Sequence, residues 1–313
     1  MDEKTVKVYT DTLEFMPYGR AVALGFFDGM HRGHLDIIRK TVKFAKKNGL
    51  RSTVMTFMNF PKDNGICITT LNERLDILSA EGVDEMLVMD FEKVKDISPE
   101  EFFDDILRRK LNSVLLLSGD DYSFGKDARG DTALLGELCG KQDIVLKVIP
   151  AKCMGEDKRR ISSTWMKECL RSGDAVTFTE LSGGRPFFYE GIVSRGKGLG
   201  RQLGFPTANL NIPADKIVVA RGVYVSRVTL GKTTFYGVTN VGLRPTVEDV
   251  KEPLAETFIF DFDDDIYGAF IRVELLKFLR PEVAFPSKED LMAEVERNKE
   301  QAKTYLTESG MIS

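Results

Sequence analysis

The sequence predicts an α/β domain with a mostly parallel sheet, followed by a smaller β-rich domain. The length of 313 residues suits two domains of roughly 150 residues each. Apolar runs alternate with amphipathic stretches up to about residue 172, whereas short β-rich runs separated by turns begin at residue 187. A link containing Gly and Pro lies between them at residues 182–186, so we place the domains at residues 1–182 and 183–313.

The first half alternates strands and helices. Short apolar runs predict strands at residues 21–27, 52–57, 85–91, 114–117 and 144–149. Helices are predicted at residues 35–47, 71–80, from 98 onward, 132–138 and 162–170. Ser98 followed by Pro99 is a helix start, and Gly173 ends the last of these helices. The alternation favours a parallel sheet covered on both faces, in which ligands bind beyond the carboxyl ends of the strands.

The second half consists mainly of short strands. We predict them at residues 187–193, 217–220, 224–230, 233–239, 256–262 and 270–278. Turn residues separate these runs, which is typical of an antiparallel barrel or sandwich. A closing helix is expected from an N-cap at Ser287 to about Leu306.

Composition narrows the function classes. Lys and Arg total 44 against 48 Asp and Glu, a net charge of −4 that disfavours non-specific binding to nucleic acid or to an anionic membrane. The longest apolar stretch, residues 21–27, is too short to span a membrane, and the acidic start is unlike a signal peptide. The 4 cysteines form no C-x-x-C pair, so we expect reduced thiols in a cytoplasmic protein. The sequence leaves the oligomeric state open.

Both histidines of the chain lie in one glycine-rich segment after the first predicted strand. Residues 25–34 read G-F-F-D-G-M-H-R-G-H, with His31 and His34 at the start of a predicted helix. Free N–H groups and the positive dipole end favour a phosphate there, and imidazoles can donate hydrogen bonds to phosphoryl oxygens. Gly29 and Gly33 allow a tight turn and close approach of a ligand. Taken alone, these histidines could instead be packing or surface residues of the turn.

This segment resembles the G-x-F-D-G-x-H-x-G-H motif of the prokaryotic bifunctional riboflavin kinase/FMN adenylyltransferases, or FAD synthetases, within the H-x-G-H nucleotidyltransferase superfamily. The resemblance runs from about Ala21 to about Leu306. It implies a Rossmann-like nucleotidyltransferase domain in which His31 and His34 contact ATP phosphates and stabilise the transition state. The further ATP phosphate contacts that it implies are Gly25, Phe26, Asp28, Gly29, Gly33, Ser163, Thr164 and Lys167. The flavin contacts that it implies in this domain are Asp121, Tyr122 and Phe124.

Three positions depart from the family motifs. Residues 161–167 resemble I-S-S-T-R-I-R, but Trp165 and Lys167 stand where the family has Arg, and Lys cannot form the bidentate phosphate contact of Arg. Phe60 stands where the family motif T-F-x-P-H-P has His. These departures leave open an active riboflavin kinase with an impaired adenylyltransferase domain. On their own, the two aromatic residues of the flavin set suit core packing, and the Ser-Ser-Thr run suits a helix cap.

A second glycine-rich segment follows residue 190. Residues 191–198 nearly spell a Walker A loop, but Gly198 replaces its Ser or Thr and no helix follows, so we exclude a P-loop NTPase. The glycines can fold a loop over a phosphate tail, although alone they suit a mobile surface loop equally well. Thr207 and Asn209 lie two residues apart on an extended segment, so their side chains point the same way. Their oxygens suit a hard cation such as Mg²⁺.

The second half carries the other part of the resemblance. Residues 200–209 resemble the riboflavin kinase signature G-R-x-x-G-[FY]-P-T-A-N, and residues 240–246 resemble N-[IV]-G-x-R-P-T. This implies a six-stranded Greek-key barrel that binds Mg²⁺ through Thr207 and Asn209. The ATP contacts that it implies are Gly196, Gly198, Gly200 and Arg201. The flavin contacts that it implies are Asn240, Gly242, Arg244 and Thr246. It also makes Glu256 the catalytic base, a role that the sequence alone does not indicate among 48 acidic residues.

We therefore expect a two-step enzyme whose partners are the small molecules riboflavin, FMN and ATP. The barrel would transfer phosphate from ATP to riboflavin, and the first domain would adenylylate FMN to FAD with release of pyrophosphate. Both steps are expected to need Mg²⁺, with ATP as co-substrate, and to use independent sites. A flavin-binding regulator or carrier without catalysis is the alternative from another class, and the complete motif sets argue against it.

Overall fold

The structure is a computed structural model that describes residues 5–10, 18–58, 65–196, 204–245 and 251–312, with only the backbone described at 244, 245 and 251. The chain forms two compact units, Met1–Ser163 and Thr164–Ser313. The predicted boundary between the two functional domains, after residue 182, stays a prediction. In the structure, residues 164–182 pack with the second unit.

The first unit is built on a six-stranded sheet in which every neighbouring pair is parallel, in the order β1-β4-β3-β2-β5-β6. Its strands are β1 Lys7–Tyr9, β2 Arg20–Leu24, β3 Arg51–Phe57, β4 Glu85–Met89, β5 Ser113–Gly119 and β6 Val145–Ile149. Strands β2 and β4 are buried along their whole length because hydrophobic clusters cover both faces of the sheet. The predicted α/β domain with a parallel sheet is confirmed.

Helices connect these strands. They are α1 Arg32–Asn48, α2 Leu71–Ala80, α3 Phe91–Val94, α4 Pro99–Glu101 with a π-helical continuation Phe102–Lys110, and α5 Thr132–Gly140. The helix start predicted at Ser98 is confirmed, since its hydroxyl accepts the Glu101 backbone N–H in a capping box. A two-stranded hairpin, β7 Cys153–Met154 and β8 Arg159–Arg160, follows β6.

The second unit begins with two helices and continues as an antiparallel sheet. The helices are α6 Ser163–Ser172, whose first residue lies in the first unit, and α7 Ala175–Leu181. The strands are β9 Phe187–Ile192, β10 Thr207–Asn211, β11 Gly222–Leu230, β12 Thr233–Pro245, β13 Lys251–Ile259 and β14 Phe270–Pro281, in the order β10-β13-β12-β11-β14-β9. The backbone N–H of Ser194 donates to Asn209 O at 2.9 Å, which joins the two edges and curls the sheet into a half-barrel.

The terminal helix packs on the outer face of this half-barrel. Helix α8 spans Lys288–Glu308, and the Ser287 hydroxyl accepts the Asp290 N–H at its start, as predicted. Ala302 and Leu306 are its buried contacts with the strands. The predicted fold class, a six-stranded Greek-key barrel with a terminal helix, is confirmed, and the barrel takes the form of a curled antiparallel half-barrel. Within the described residues, no helix combines the length and the apolar character needed to cross a membrane.

One predicted strand is wrong. Residues 217–220 form no strand, because the Tyr189 hydroxyl donates to Ile217 O at 3.0 Å and accepts the Val219 N–H at 3.1 Å. These two bonds satisfy backbone groups that a ladder would otherwise pair. The sixth strand is instead β10, the segment that carries Thr207 and Asn209.

Candidate active sites

The first site begins at a strained turn between β2 and α1, here called the histidine turn (residues 25–31). Phe27, Gly29 and Met30 have φ angles of 55°, 74° and 46°, all in the left-handed region. Such a conformation is uncommon for non-glycine residues and clusters at functional sites. The turn places His31 at the N-cap of α1, at the carboxyl edge of the parallel sheet.

The structure brings the two predicted histidines into contact. Their rings stack with centroids 3.6 Å apart, and the ring of Phe27 packs edge-on against His34 at 5.1 Å. Nδ1 of His31 accepts the backbone N–H of His34 at 3.2 Å. Because this bond uses the Nδ1 lone pair, the neutral His31 ring carries its proton on Nε2. Gly33 makes the arrangement possible, since an added Cβ would lie 3.1 Å from the His31 ring.

Both imidazoles are held neutral. Burial, and then the positive charge of Arg160, lower the pKa of His31 to about 4. Burial, and then the neighbouring His31, lower the pKa of His34 well below its ordinary value. Nδ1 of His34 is buried and has no hydrogen-bond partner among the described residues. Two neutral rings at a helix N-terminus can donate N–H groups to the oxygens of a phosphate.

The other phosphate contacts predicted for the adenylyltransferase domain differ in their surroundings, and two of them, Thr164 and Lys167, belong to the second unit by packing. The Ser163 hydroxyl donates to the backbone O of Asp28 at 2.8 Å, which ties the last residue of the first unit to the histidine turn. The Asp28 carboxylate is buried and accepts backbone N–H groups of the protein itself. Thr164 is exposed and Lys167 is buried in α6. Their contacts with ATP stay predictions, as do those of Gly25 and Gly29.

Aromatic rings line the carboxyl edge of the same sheet. Phe26, after β2, lies 4.6 Å from Phe57 at the end of β3 and 5.9 Å from Phe91 after β4, measured between centroids. Tyr122 and Phe124, after β5, stack at 5.8 Å with an angle of 13° between their planes. Phe57 and Phe124 are buried in the hydrophobic core, as the packing alternative expected for Phe124, whereas Phe26, Phe91 and Tyr122 are half-buried against it and can offer apolar surface to a planar heterocycle. Sequence reasoning assigned Phe26 to phosphate and did not single out Phe57, the last residue of β3, or Phe91, which follows β4.

Arg160 is another residue that sequence reasoning did not single out. Its guanidinium lies 2.6 Å from the Asp120 carboxylate and 2.8 Å from that of Asp121. Its positive charge also contributes to the low pKa of His31. The signal available in the sequence was its position directly before the Ile-Ser-Ser-Thr run. Asp121, a predicted flavin contact, is exposed and paired with this arginine.

The second site lies on three neighbouring strands of the half-barrel. Asn209 of β10 pairs with Glu256 of β13, and Glu256 pairs with Asn240 of β12. Directly opposed residues of adjacent strands share one face of a sheet. The register therefore gathers three predicted site residues, from three separate motifs, into one row on one face. Glu256 and Asn240 are half-buried in this row.

Asn209 has a buried oxygen ready for a ligand. The side chain is only 2% exposed, and its Nδ2 donates to the backbone O of Thr207 at 3.1 Å. Its Oδ1 is buried without a hydrogen-bond partner among the described residues. Gly196 leaves room for this amide, because an added Cβ would lie 2.8 Å from Nδ2. An unpaired amide oxygen beside a threonine fits the oxygen ligands that Mg²⁺ prefers.

Several predicted residues lie outside the part of the chain that the structure describes. They are Phe60, Gly198, Gly200, Arg201 and Thr246. Only the backbone of Arg244 is described, at the end of β12. Gly242 is close to a carboxylate that sequence reasoning missed, since an added Cβ would lie 2.7 Å from Oε1 of Glu282.

Family models match both halves of the chain. The FAD synthetase model matches residues 15–165, and the riboflavin kinase model, named Flavokinase, matches residues 183–306. The chain is 31% identical to the bifunctional riboflavin kinase/FMN adenylyltransferase of Bacillus subtilis (strain 168), over 91% of this chain and 92% of that one. It is 33% identical to the protein of the same name from Escherichia coli (strain K12), over 92% and 93% of the two chains.

A crystal structure has a similar fold over nearly the whole chain. It is that of a Streptococcus pneumoniae protein named as a macrolide-efflux protein, with a TM-score of 0.85 and 29% identity, and it covers 95% of this chain and 99% of that one. That name applies to that protein, whereas both family models and the bacterial relatives point to flavin nucleotide synthesis. With a model matching each half and relatives aligned over nearly their full length, the chain belongs to the bifunctional riboflavin kinase/FMN adenylyltransferase family.

Proposed function

We propose that this chain makes FAD from riboflavin in two ATP-dependent steps, one in each unit. The observation that carries the proposal is the pair of separate constellations on one chain. One is the stacked, neutral His31 and His34 at the carboxyl edge of the parallel sheet. The other is the row of Asn209, Glu256 and Asn240 on the half-barrel. The matches of a FAD synthetase model and a riboflavin kinase model to the two halves support this division.

In the first step, the 5′-hydroxyl oxygen of riboflavin attacks the γ-phosphorus of ATP. The bond from that phosphorus to the β,γ-bridging oxygen breaks, so FMN and ADP are formed. Glu256 accepts the hydroxyl proton, and Asn240 beside it orients the flavin. Thr207 and Asn209 would hold Mg²⁺, which when bound neutralises charge on the phosphate oxygens.

In the second step, a phosphate oxygen of FMN attacks the α-phosphorus of ATP. The bond to the pyrophosphate group breaks, so FAD and pyrophosphate are formed. His31 and His34 donate N–H hydrogen bonds to the oxygens on which charge increases. Arg160, which is paired with Asp120 and Asp121, contributes a positive charge that acts on His31. The ring group around Phe26 provides apolar surface for the flavin.

Chromatography of the products from riboflavin, ATP and Mg²⁺ tests the proposal on the intact chain. We expect FMN to form first and FAD to follow, with ADP and pyrophosphate released in step with them. FMN that accumulates without FAD, even when FMN and excess ATP are supplied, would show a kinase with an impaired first unit. Stoichiometric flavin binding without ATP consumption would show a carrier instead.

A further inference from the structure

The histidine turn is held by residues far from it in sequence. Phe27, Gly29 and Met30 all adopt left-handed backbone angles. A turn of this kind persists only where its surroundings fix it, because relaxed backbone conformations are lower in energy. The contacts that fix it therefore decide where the two imidazoles stand.

The first group of contacts comes from the residues just before α2. The backbone N–H of Gly29 donates to Oγ1 of Thr69 at 2.9 Å. In return, Oδ1 of Asp28 accepts the backbone N–H groups of Ile68 at 2.8 Å and of Thr69 at 3.1 Å. All three bonds are buried, so water does not compete for them.

The second group comes from a buried arginine in the first turns of α2. Nη1 of Arg74 lies 3.2 Å from Phe26 O, 3.1 Å from Phe57 O and 2.5 Å from Oγ1 of Thr56. The Thr56 hydroxyl donates to Phe26 O at 2.7 Å. Arg74 is 1% exposed, and this single guanidinium ties the residue after β2 to the end of β3.

We propose that Ile68, Thr69 and Arg74, here called the turn clamp, position His31 and His34 for adenylyl transfer. The inference rests on the proposed function of the first unit. The clamp bonds to the backbone at Phe26 and Gly29 and to the carboxylate of Asp28, so it acts through the turn. Thr69 and Arg74 are positioning residues, and the Asp28 carboxylate is an anchor of the turn.

The same unit offers a matched control. Thr53 is also a buried threonine, and its hydroxyl donates to the Glu85 carboxylate at 3.0 Å, at the amino edge of the sheet. Thr69→Val and Thr53→Val each remove one buried hydroxyl without changing side-chain volume much, at opposite edges of one sheet. A purely structural loss would therefore affect both variants alike.

We expect Thr69→Val to lower kcat for FAD formation from supplied FMN by about tenfold or more, with a smaller change in KM for FMN. Thr53→Val should keep the wild-type kcat, and Thr69→Ser should restore it. Riboflavin phosphorylation by the same preparations should be unchanged, which controls for the amount of intact chain, and thermal unfolding of each variant reports whether its first unit is folded. Hydrogen exchange followed by mass spectrometry should show faster exchange in the peptide containing Gly29 in Thr69→Val only.

Two results would overturn the clamp. One is a Thr69→Val protein with wild-type kcat and unchanged exchange at Gly29. The other is an equal loss of kcat in Thr53→Val at matched thermal stability. If Thr69→Val does not fold, Arg74→Lys takes its place, because it keeps the charge and loses the planar fork. A wild-type chain that makes no FAD refutes the proposed function, while the exchange experiment still decides on the clamp.

Discussion

The two sites are positioned by different physical means. The histidines come from one short segment and are held by a left-handed turn, with distant residues bonded to its backbone. The row of Asn209, Glu256 and Asn240 comes from three regular strands, and sheet register aligns it. Behind that row, the buried hydroxyl of Thr239 bonds to those of Ser226 at 2.8 Å and Thr257 at 2.9 Å, which links the three central strands. The histidine site thus depends on a strained backbone within one segment, whereas the row on the half-barrel depends on the correct register between regular strands.

The largest effect is expected when the half-barrel loses its base. Glu256→Ala should lower FMN formation by about 10²–10⁴-fold, because no group then accepts the riboflavin proton. FAD formation from supplied FMN should persist, since the histidine turn lies in the other unit. Steady-state product analysis measures both rates, and Asp263→Ala, in an exposed turn, is the matched carboxylate control. Loss of both activities in a folded Glu256→Ala protein would contradict two independent sites.

Loss of the two histidines should have the opposite effect, with FAD formation lowered and FMN formation retained. His31→Ala combined with His34→Ala should lower FAD formation from FMN by about 10²–10³-fold, because two donors to the phosphate oxygens are lost. Phosphorylation of riboflavin should continue at the wild-type rate and controls for the amount of intact chain, while thermal unfolding reports whether the first unit is folded. If the double variant stopped FMN formation as well, the two constellations would belong to one catalytic centre.

A smaller effect tests the room around Asn209. In Gly196→Ala the new methyl would lie 2.8 Å from the Asn209 amide and displace its oxygen. We expect FMN formation to fall by about tenfold, mainly through a higher KM for ATP with Mg²⁺, and FAD formation from FMN to be unaffected. The control is Gly191→Ala, where an added Cβ would lie 3.9 Å from Leu210. Equal rates of FMN formation in Gly196→Ala and Gly191→Ala would show that the Asn209 amide does not contribute to nucleotide binding.

The sequence indicated most of the fold because its local patterns agree with the tertiary structure. Alternating apolar runs identified the parallel sheet, since strands covered on both faces are apolar throughout. The failure at residues 217–220 came from a tertiary contact, because a hydroxyl from β9 takes up the backbone groups there. No periodicity in those residues reveals a partner so far away in sequence.

The site residues also divide into those that the local sequence indicated and those that depend on tertiary contacts. His31 and His34 were visible as one contiguous motif at a strand end. Glu256 needed the family resemblance, because its pairing with Asn209 depends on a register that composition does not encode. Arg160 and Arg74 were missed for a similar reason, since their partners lie on other elements of the first unit.

Acid should expose the difference between the two units. His31 has a pKa of about 4 in the folded chain and about 6.5 when unfolded. Above pH 6.5 neither state binds the proton, so the histidine contributes nothing to the pH dependence. As the pH falls from about 6.5 to 4, only the unfolded chain gains the proton. The first unit should therefore lose stability in this window, with a slope approaching about 1.4 kcal/mol per pH unit for one histidine.

Calorimetry of the wild type and of His31→Asn across that window measures this slope. Asparagine can still cap α1, so the variant removes the titrating ring while keeping an acceptor at the N-cap. His34 changes in the same direction and leaves a residual slope in the variant. The second unit contains neither of the two histidines of the chain, so the stability of its unfolding transition should lack the pH dependence that histidine protonation causes. Identical slopes in wild type and variant would mean that His31 has the same pKa in the folded and the unfolded chain, so that burial in the turn does not hold the ring neutral between pH 6.5 and 4.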